Sequence, residues 1–181
     1  MAVTLDNCLV VGISSRALFD LDKENAIFEK EGLDAYRTYQ IEHEEEVLAP
    51  GSGFALVKAL LHLNALSKER LVEVLILSRN GADTSLRIFH SIEHYDLDIT
   101  RAVLSGGEGL ANYLEAFGVD LFLSADEDDV QAAIDAGFAA GIIYPHRERY
   151  PDDQLQQIRL AFDGDAVLFS DESERIYQQQ G

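Results

Sequence analysis

Asp163 and Asp165, with Gly164 between them, follow the mostly apolar stretch from Ile158 to Phe162. That stretch reads as a buried strand, so both carboxylates fall at a strand's carboxyl end, where open α/β sheets place their chemistry. A carboxylate there can attack a phosphoryl group and carry it as an acyl-phosphate. The second carboxyl can handle the proton of the leaving group. The same residues also suit a strand-end turn, because Asp and Gly dominate turns. On spacing alone the turn is the better reading.

Other polar clusters invite the same test. Asp20 and Asp22 repeat the two-aspartate pattern, but only Ala17-Leu18-Phe19 precedes them as an apolar run. They read better as a cap for the helix that follows. Ser78-Arg79-Asn80 closes an apolar run, and Ser78 and Asn80 are candidates for substrate binding through a hydroxyl and an amide. They equally open a loop, Asn80-Gly81-Ala82-Asp83, of the composition loops favour. Ser105-Gly106-Gly107 can cradle an anion with backbone N–H groups, although a plain turn explains it as well. The run Asp126-Glu127-Asp128-Asp129 supplies metal-type oxygens, but a helix N-terminus attracts the same residues. His90 and His94 have helix-face spacing with no third ligand in view. No lysine lies between Gly106 and Leu123 to neutralise a phosphate.

Such residues need a frame to hold them. Leu9–Ile13, Leu71–Leu77, Arg101–Leu104, Val119–Leu123 and Gly141–Tyr144 read as strands. Between them, Asp22–Glu31 and Leu33–Glu45 read as helices split at Gly32. Phe54–Leu66, with Ser52 as a candidate cap, Thr84–Tyr95, Leu110–Phe117 and Asp128–Ala140 also carry helical spacing. For Thr84–Tyr95 the expected inner face is Leu86, Ile88, Phe89 and Ile92, and Asp128–Ala140 is expected to be capped from Ser124 or Asp126. Strands alternating with helices argue for an α/β fold with a three-layer, mainly parallel sheet.

Composition sets limits. With 47% hydrophobic and 26% charged residues, 181 residues can bury one good core. Fourteen basic against 33 acidic residues give a net charge of −19. That surface repels nucleic-acid polymers and anionic membranes, while solubility alone accounts for the charge. Cys8 is the only cysteine, so no intrachain disulfide can form. No apolar run approaches membrane-spanning length, and the N-terminus lacks a basic region followed by a long apolar stretch. The expected location is cytoplasmic.

Residues 146–157 are polar, with Pro145 just before them and Pro151 among them, and read as a connector. The division is therefore a domain over 1–145, the connector, and the start of a second, catalytic-type unit over 158–181. An internal repeat supports it. Ser14-Ser15-Arg16-Ala17-Leu18-Phe19 is similar to Asp163-Gly164-Asp165-Ala166-Val167-Leu168-Phe169, with one residue inserted. Ile27-Phe28-Glu29-Lys30-Glu31-Gly32 likewise matches Ile176-Tyr177-Gln178-Gln179-Gln180-Gly181. Ser14 and Arg16 stand where the second copy has aspartates, so the first copy reads as chemically silent.

Those segments, with Leu77-Ser78-Arg79-Asn80, Ser91-Ile92-Glu93-His94-Tyr95, Ser105-Gly106-Gly107, Leu121-Phe122-Leu123-Ser124-Ala125-Asp126 and the continuation Ser170-Asp171-Glu172, resemble the cytosolic 5′-nucleotidase type I family. The resemblance runs in order from about Leu9 to Gly181. It implies a Rossmann-like, haloacid dehalogenase-like sheet and hydrolysis of nucleoside 5′-monophosphates such as AMP with Mg²⁺. It also implies Asp163 as nucleophile, Asp165 as general acid/base, and the Asp163 carboxylate and Asp165 carbonyl as metal ligands. Family members continue with a serine or threonine motif, a lysine and an acidic metal motif that are absent here. The expectation is thus an N-terminal portion of a longer enzyme. The alternative is a non-catalytic nucleotide-binding or assembly module completed by a partner chain. A strand from Ile158 to Phe162 without a sheet of its own would pair with an edge of the first domain or with a second copy, making a homo-oligomer.

Overall fold

The apolar run Leu9–Ser14 forms strand β1 and lies at the centre of the sheet, with five of its six residues buried. The computed structural model describes residues 7–145 and Ala161. The Asp163–Asp165 pair, the connector and the second unit lie outside the described residues. After β1 come α1 (Ser15–Leu18), α2 (Asp22–Glu31), α3 (Leu33–Glu42) and α4 (Phe54–His62), the last extended by a 3₁₀ turn over Leu63–Leu66. Strand β2 (Val72–Ser78), a 3₁₀ turn over Ala82–Thr84, α5 (Leu86–His94) and β3 (Arg101–Leu104) follow. The described domain ends with α6 (Ala111–Leu114), β4 (Leu121–Ser124), α7 (Glu127–Asp135) and β5 (Ala139–Ile142).

All five strands are parallel, in the order β3-β2-β1-β4-β5. The inner strands read as unbroken apolar runs because both faces are covered. Alternate residues divide between two cores. Val11, Ile13, Val74 and Ile76 pack with Leu18, Val57, Ile88 and Ile92 from the helices of the first two crossovers. Val10, Leu75, Leu77 and Phe122 pack with Leu114 and Ala133 from α6 and α7. This is the three-layer, Rossmann-like α/β arrangement the alternation predicts. Its strand order reverses between β1 and β4, which opens a crevice at the carboxyl ends of those strands. Among the described residues no helix is long and apolar enough to cross a membrane.

Several element boundaries depart from the expected ones. The helix expected to run to Ala140 stops at Asp135, because Gly137 adopts φ +88° and a Schellman closure forms. In it the Phe138 N–H donates to the Ala133 carbonyl and the Gly137 N–H to Ile134. Residues 139 and 140 thereby join β5. Gly118, at φ +64°, ends the turn after α6 in the same way, with the Val119 N–H on the Leu114 carbonyl. At the start of α4 the cap position is Gly53, not Ser52, with no side-chain cap bond. The inner face of α5 is also different. Ile88 and Ile92 are buried as expected, but Leu86 is 43% and Phe89 37% exposed. Arg87 and Ser91 take their places inside. Arg87 forms a buried ion pair with Glu24 of α2 at 2.5 Å, and its Nε donates to the Glu46 carbonyl. The Ser91 hydroxyl accepts from the Leu48 N–H at 2.9 Å.

The loop before α4 is laid directly on the backbone that follows β1. Gly51 and Gly53 donate their N–H groups to the Leu18 and Ala17 carbonyls at 2.9 and 2.7 Å. A Cβ on Gly51 would sit 2.8 Å from the Phe19 carbonyl carbon and 2.9 Å from the Ala17 oxygen. Backbone cannot swing aside as a side-chain tip can. Gly51→Ala is therefore expected to cost about 1–3 kcal/mol, read as a lower urea midpoint at unchanged slope.

Candidate functional site

Four serines gather at the carboxyl ends of the three central strands, all buried: Ser14 and Ser15 after β1, Ser78 at the end of β2, and Ser124 at the end of β4. They line a cavity of about 590 Å³. The Ser14 hydroxyl oxygen accepts from the N–H groups of Ala17 and Ala125, each at 3.3 Å, and so ties β1 to the loop after β4. The Ser15 and Ser78 hydroxyls lie 3.1 Å apart, and Ser78 also accepts from the Asn80 N–H at 3.2 Å. Ser124 accepts from the Asp126 N–H at 3.1 Å.

The sequence-predicted pair Ser78 and Asn80 both line this cavity. Asn80 turns its amide oxygen to the Tyr36 hydroxyl, 2.9 Å away, and Tyr36 in turn accepts from Gln40. Burial holds the Tyr36 phenol above its ordinary pKa, with these two amides opposing the shift. The loop after β3 follows its neighbour: the Ser105 N–H donates to the Ser78 carbonyl and the Gly106 N–H to Asn80. Gly106 and Gly107, at φ +64° and +102°, complete that edge of the cavity. The turn reading and the proximity to a site are both met there.

The acidic run after β4 divides its work. Asp126 caps α7 by accepting from the Asp129 N–H at 3.1 Å, as the helix-terminus reading predicts. Asp129 is buried and accepts a hydrogen bond from Arg79 Nε at 3.0 Å. Desolvation pushes its carboxyl above the ordinary aspartate value, and Arg79 partly opposes this. The native state thus keeps this proton longer than the unfolded chain does. The stability linked to it is complete below the ordinary aspartate range and is lost as pH rises through the raised native value. Arg79→Gln removes the opposing cation. Asp129 is then expected to titrate still higher, followed by its carboxyl ¹³C shift against pH.

Asp20 and Asp22 do not cap α2 as expected: the cap position is Leu21 with no side-chain cap bond, Asp22 is the first helical residue, and the Asp20 carboxylate accepts from the Asp22 N–H at 3.2 Å in a local turn. His90 turns Nδ1 to the Glu44 carbonyl at 2.9 Å, and no group of three His, Cys, Asp or Glu among the described residues could hold a metal ion. The carboxylates lining the pocket are also engaged elsewhere. Its Asp83 is paired with Arg37, Asp129 with Arg79, and Glu24 with Arg87. Sequence reasoning missed Tyr36 and Phe28 as cavity residues, and no local pattern marks them; Asp129 it named only within the acidic run. Ser14 and Arg16, the residues set against the aspartates in the internal repeat, line the cavity. Neither offers a carboxylate for attack on phosphorus.

Comparison with known proteins brings in the family. The chain is 38% identical over 183 residues to cytosolic 5′-nucleotidase 1B of Homo sapiens, covering 97% of this chain and 30% of that protein. It thus spans under a third of that relative's length. Among solved structures it is similar to the HAD domain of effector protein Lem4 from Legionella pneumophila, at 15% identity and a TM-score of 0.40 over 75% of this chain and 84% of that one. It is also similar to a haloacid dehalogenase-like hydrolase from Burkholderia xenovorans LB400, at 14% identity and a TM-score of 0.44 over 75% and 83%. The sequence model of 5′-nucleotidases matches residues 1–181 from end to end, and with that match the chain belongs to the 5′-nucleotidase family.

Proposed function

We propose that the chain serves hydrolysis of nucleoside 5′-monophosphates of the AMP type, with Asp163 as nucleophile and Asp165 as general acid/base. The observation that carries this reading is the state of the described cavity. Serines end its strands, and each carboxylate lining it is paired or capping. For a family built for phosphate chemistry, the sequence then leaves Asp163-Gly164-Asp165, two carboxylates that follow an apolar run.

In the proposed reaction a carboxylate oxygen of Asp163 attacks phosphorus, and the bond from phosphorus to the 5′ oxygen breaks. Asp165, protonated, gives its proton to that oxygen, and the nucleoside leaves. Asp165 then takes a proton from water as the water attacks the acyl-phosphate, releasing phosphate and restoring Asp163. The carboxylate of Asp163 and the carbonyl of Asp165 are hard oxygen donors of the kind Mg²⁺ prefers. Bound there, the ion would neutralise charge on the phosphoryl oxygens. Phosphate release from AMP by the wild-type chain, set against Asp163→Asn, tests the assignment.

The cavity itself favours a second reading. A pocket at the switch point with no free nucleophile suits a non-catalytic nucleotide-binding or assembly module whose chemistry a partner chain completes. Among the described residues, strands β3 and β5 each pair on one side only, so the described sheet offers two edges for an added strand, including one from a second copy. Sedimentation across a concentration series tests the homo-oligomer, and a monomer at every concentration removes it.

A further inference from the structure

The serine hydroxyls at the cavity floor carry more donors than the protein uses. A hydroxyl has two lone pairs and one hydrogen. On Ser14 both lone pairs face backbone N–H groups, and its hydrogen finds no acceptor among the described residues. Ser124 accepts from Asp126, and its hydrogen is also left over. Of the Ser15–Ser78 pair one hydroxyl donates to the other, so whichever accepts keeps its own hydrogen spare. These hydroxyls lie on adjacent strands and line the open cavity, where the acceptor atoms of a ligand can meet them.

The lining sets three arginines, Arg16, Arg37 and Arg79, against four carboxylates, Glu24, Asp83, Asp126 and Asp129, of which Asp126 caps α7 and has no ion pair among the described residues. Arg37 and Arg79 are paired with Asp83 and Asp129. Arg16, exposed and lining the same cavity, forms no ion pair among the described residues. In a chain of net charge −19 an unpaired cation beside surplus hydroxyl donors calls for an oxyanion. A carboxylate brings two oxygens. A phosphate monoester brings three terminal oxygens and a second negative charge, which answers the donor set better. The opposite wall is apolar: Phe28 is 49% exposed, its ring edge-on to Tyr36 at 6.0 Å.

We infer that this cavity binds a small phosphate monoester without a metal ion and without hydrolysing it. The phosphoryl group sits on Ser14, Ser124, the Ser15–Ser78 pair and Arg16, and a flat apolar portion lies against Phe28. The inference stands whether or not Asp163 is the nucleophile.

Calorimetric titration of AMP into the Asp163→Asn chain in excess EDTA tests it. One site per chain is expected, with adenosine at least tenfold weaker than AMP. Adding Arg16→Gln should weaken AMP and inorganic phosphate at least tenfold. Phe28→Ala should weaken AMP alone. Both side chains are exposed, and far-UV circular dichroism confirms that the fold is kept. No AMP binding in EDTA, or an affinity untouched by Arg16→Gln, would overturn the site. A wild-type affinity in Phe28→Ala would overturn the apolar contact. Failure of the Asp163 assignment shows elsewhere, as phosphate release with Mg²⁺ that survives Asp163→Asn.

Discussion

Asp163→Asn is expected to lower phosphate release from AMP by on the order of 10⁶-fold, the scale seen when a covalent nucleophile is removed. An amide cannot form the acyl-phosphate, and what remains is binding without the first chemical step. Asp165→Asn should behave differently. It removes the acid that protonates the nucleoside oxygen, a loss of roughly 10²–10⁴ with AMP. An aryl phosphate, whose leaving oxygen departs without a proton, should recover much of its first step. Asp20→Asn is the control, because the Asp20 carboxylate only accepts from the Asp22 N–H. Its activity should match the wild type. Wild-type turnover in Asp163→Asn would sink the assignment, and absence of turnover in every form would favour the binding module.

The second large effect is on stability. Arg87 and Glu24 are both almost fully enclosed, with side chains 8% and 5% exposed, and they join α5 to α2. Arg87→Ala leaves a buried carboxylate without its counter-ion and is expected to cost about 3–5 kcal/mol. Replacing both partners by apolar residues of similar volume, Glu24→Leu with Arg87→Met, should return most of that loss, because no uncompensated charge remains. Urea unfolding of Glu24→Leu, Arg87→Met and the double variant closes the cycle. A single-variant loss below about 1 kcal/mol would show that the pair is solvated in solution and that its burial is not maintained.

The sheet was readable because its strands are the apolar runs of a two-sided parallel sheet. Leu9–Ile13 and Leu71–Leu77 stand out from composition alone. The interior of α5 was not readable. Helical spacing selects Leu86 and Phe89 by their hydrophobicity, yet Arg87 displaces them because its counter-ion waits on α2, 63 residues away. The same distance in sequence hides the cavity. Ser15 meets Ser78 across 63 residues and Arg79 meets Asp129 across 50, so neither pair leaves a local trace. Ser78 and Asn80 were visible as candidates because they follow a strand directly. Ser14 and Arg16 were visible only through the internal repeat. The over-long helix after Asp126 has a simpler cause: Gly137 ends it by taking a left-handed conformation that periodicity does not register.

The place of β1 bears on how the protein is made. Its first residues leave the ribosome early, but one of its two neighbours arrives late. The Val10 N–H is held by the Asp120 carboxylate, 110 residues further along. At ordinary synthesis rates of about 5–20 residues per second, that interval is roughly 6–22 s. During it the most apolar strand of the nascent chain has at most β2 for company. Its other edge stays open to any strand nearby, so a chaperone that shields the segment between β1 and β4 during translation should raise the yield of folded protein more than one added after release.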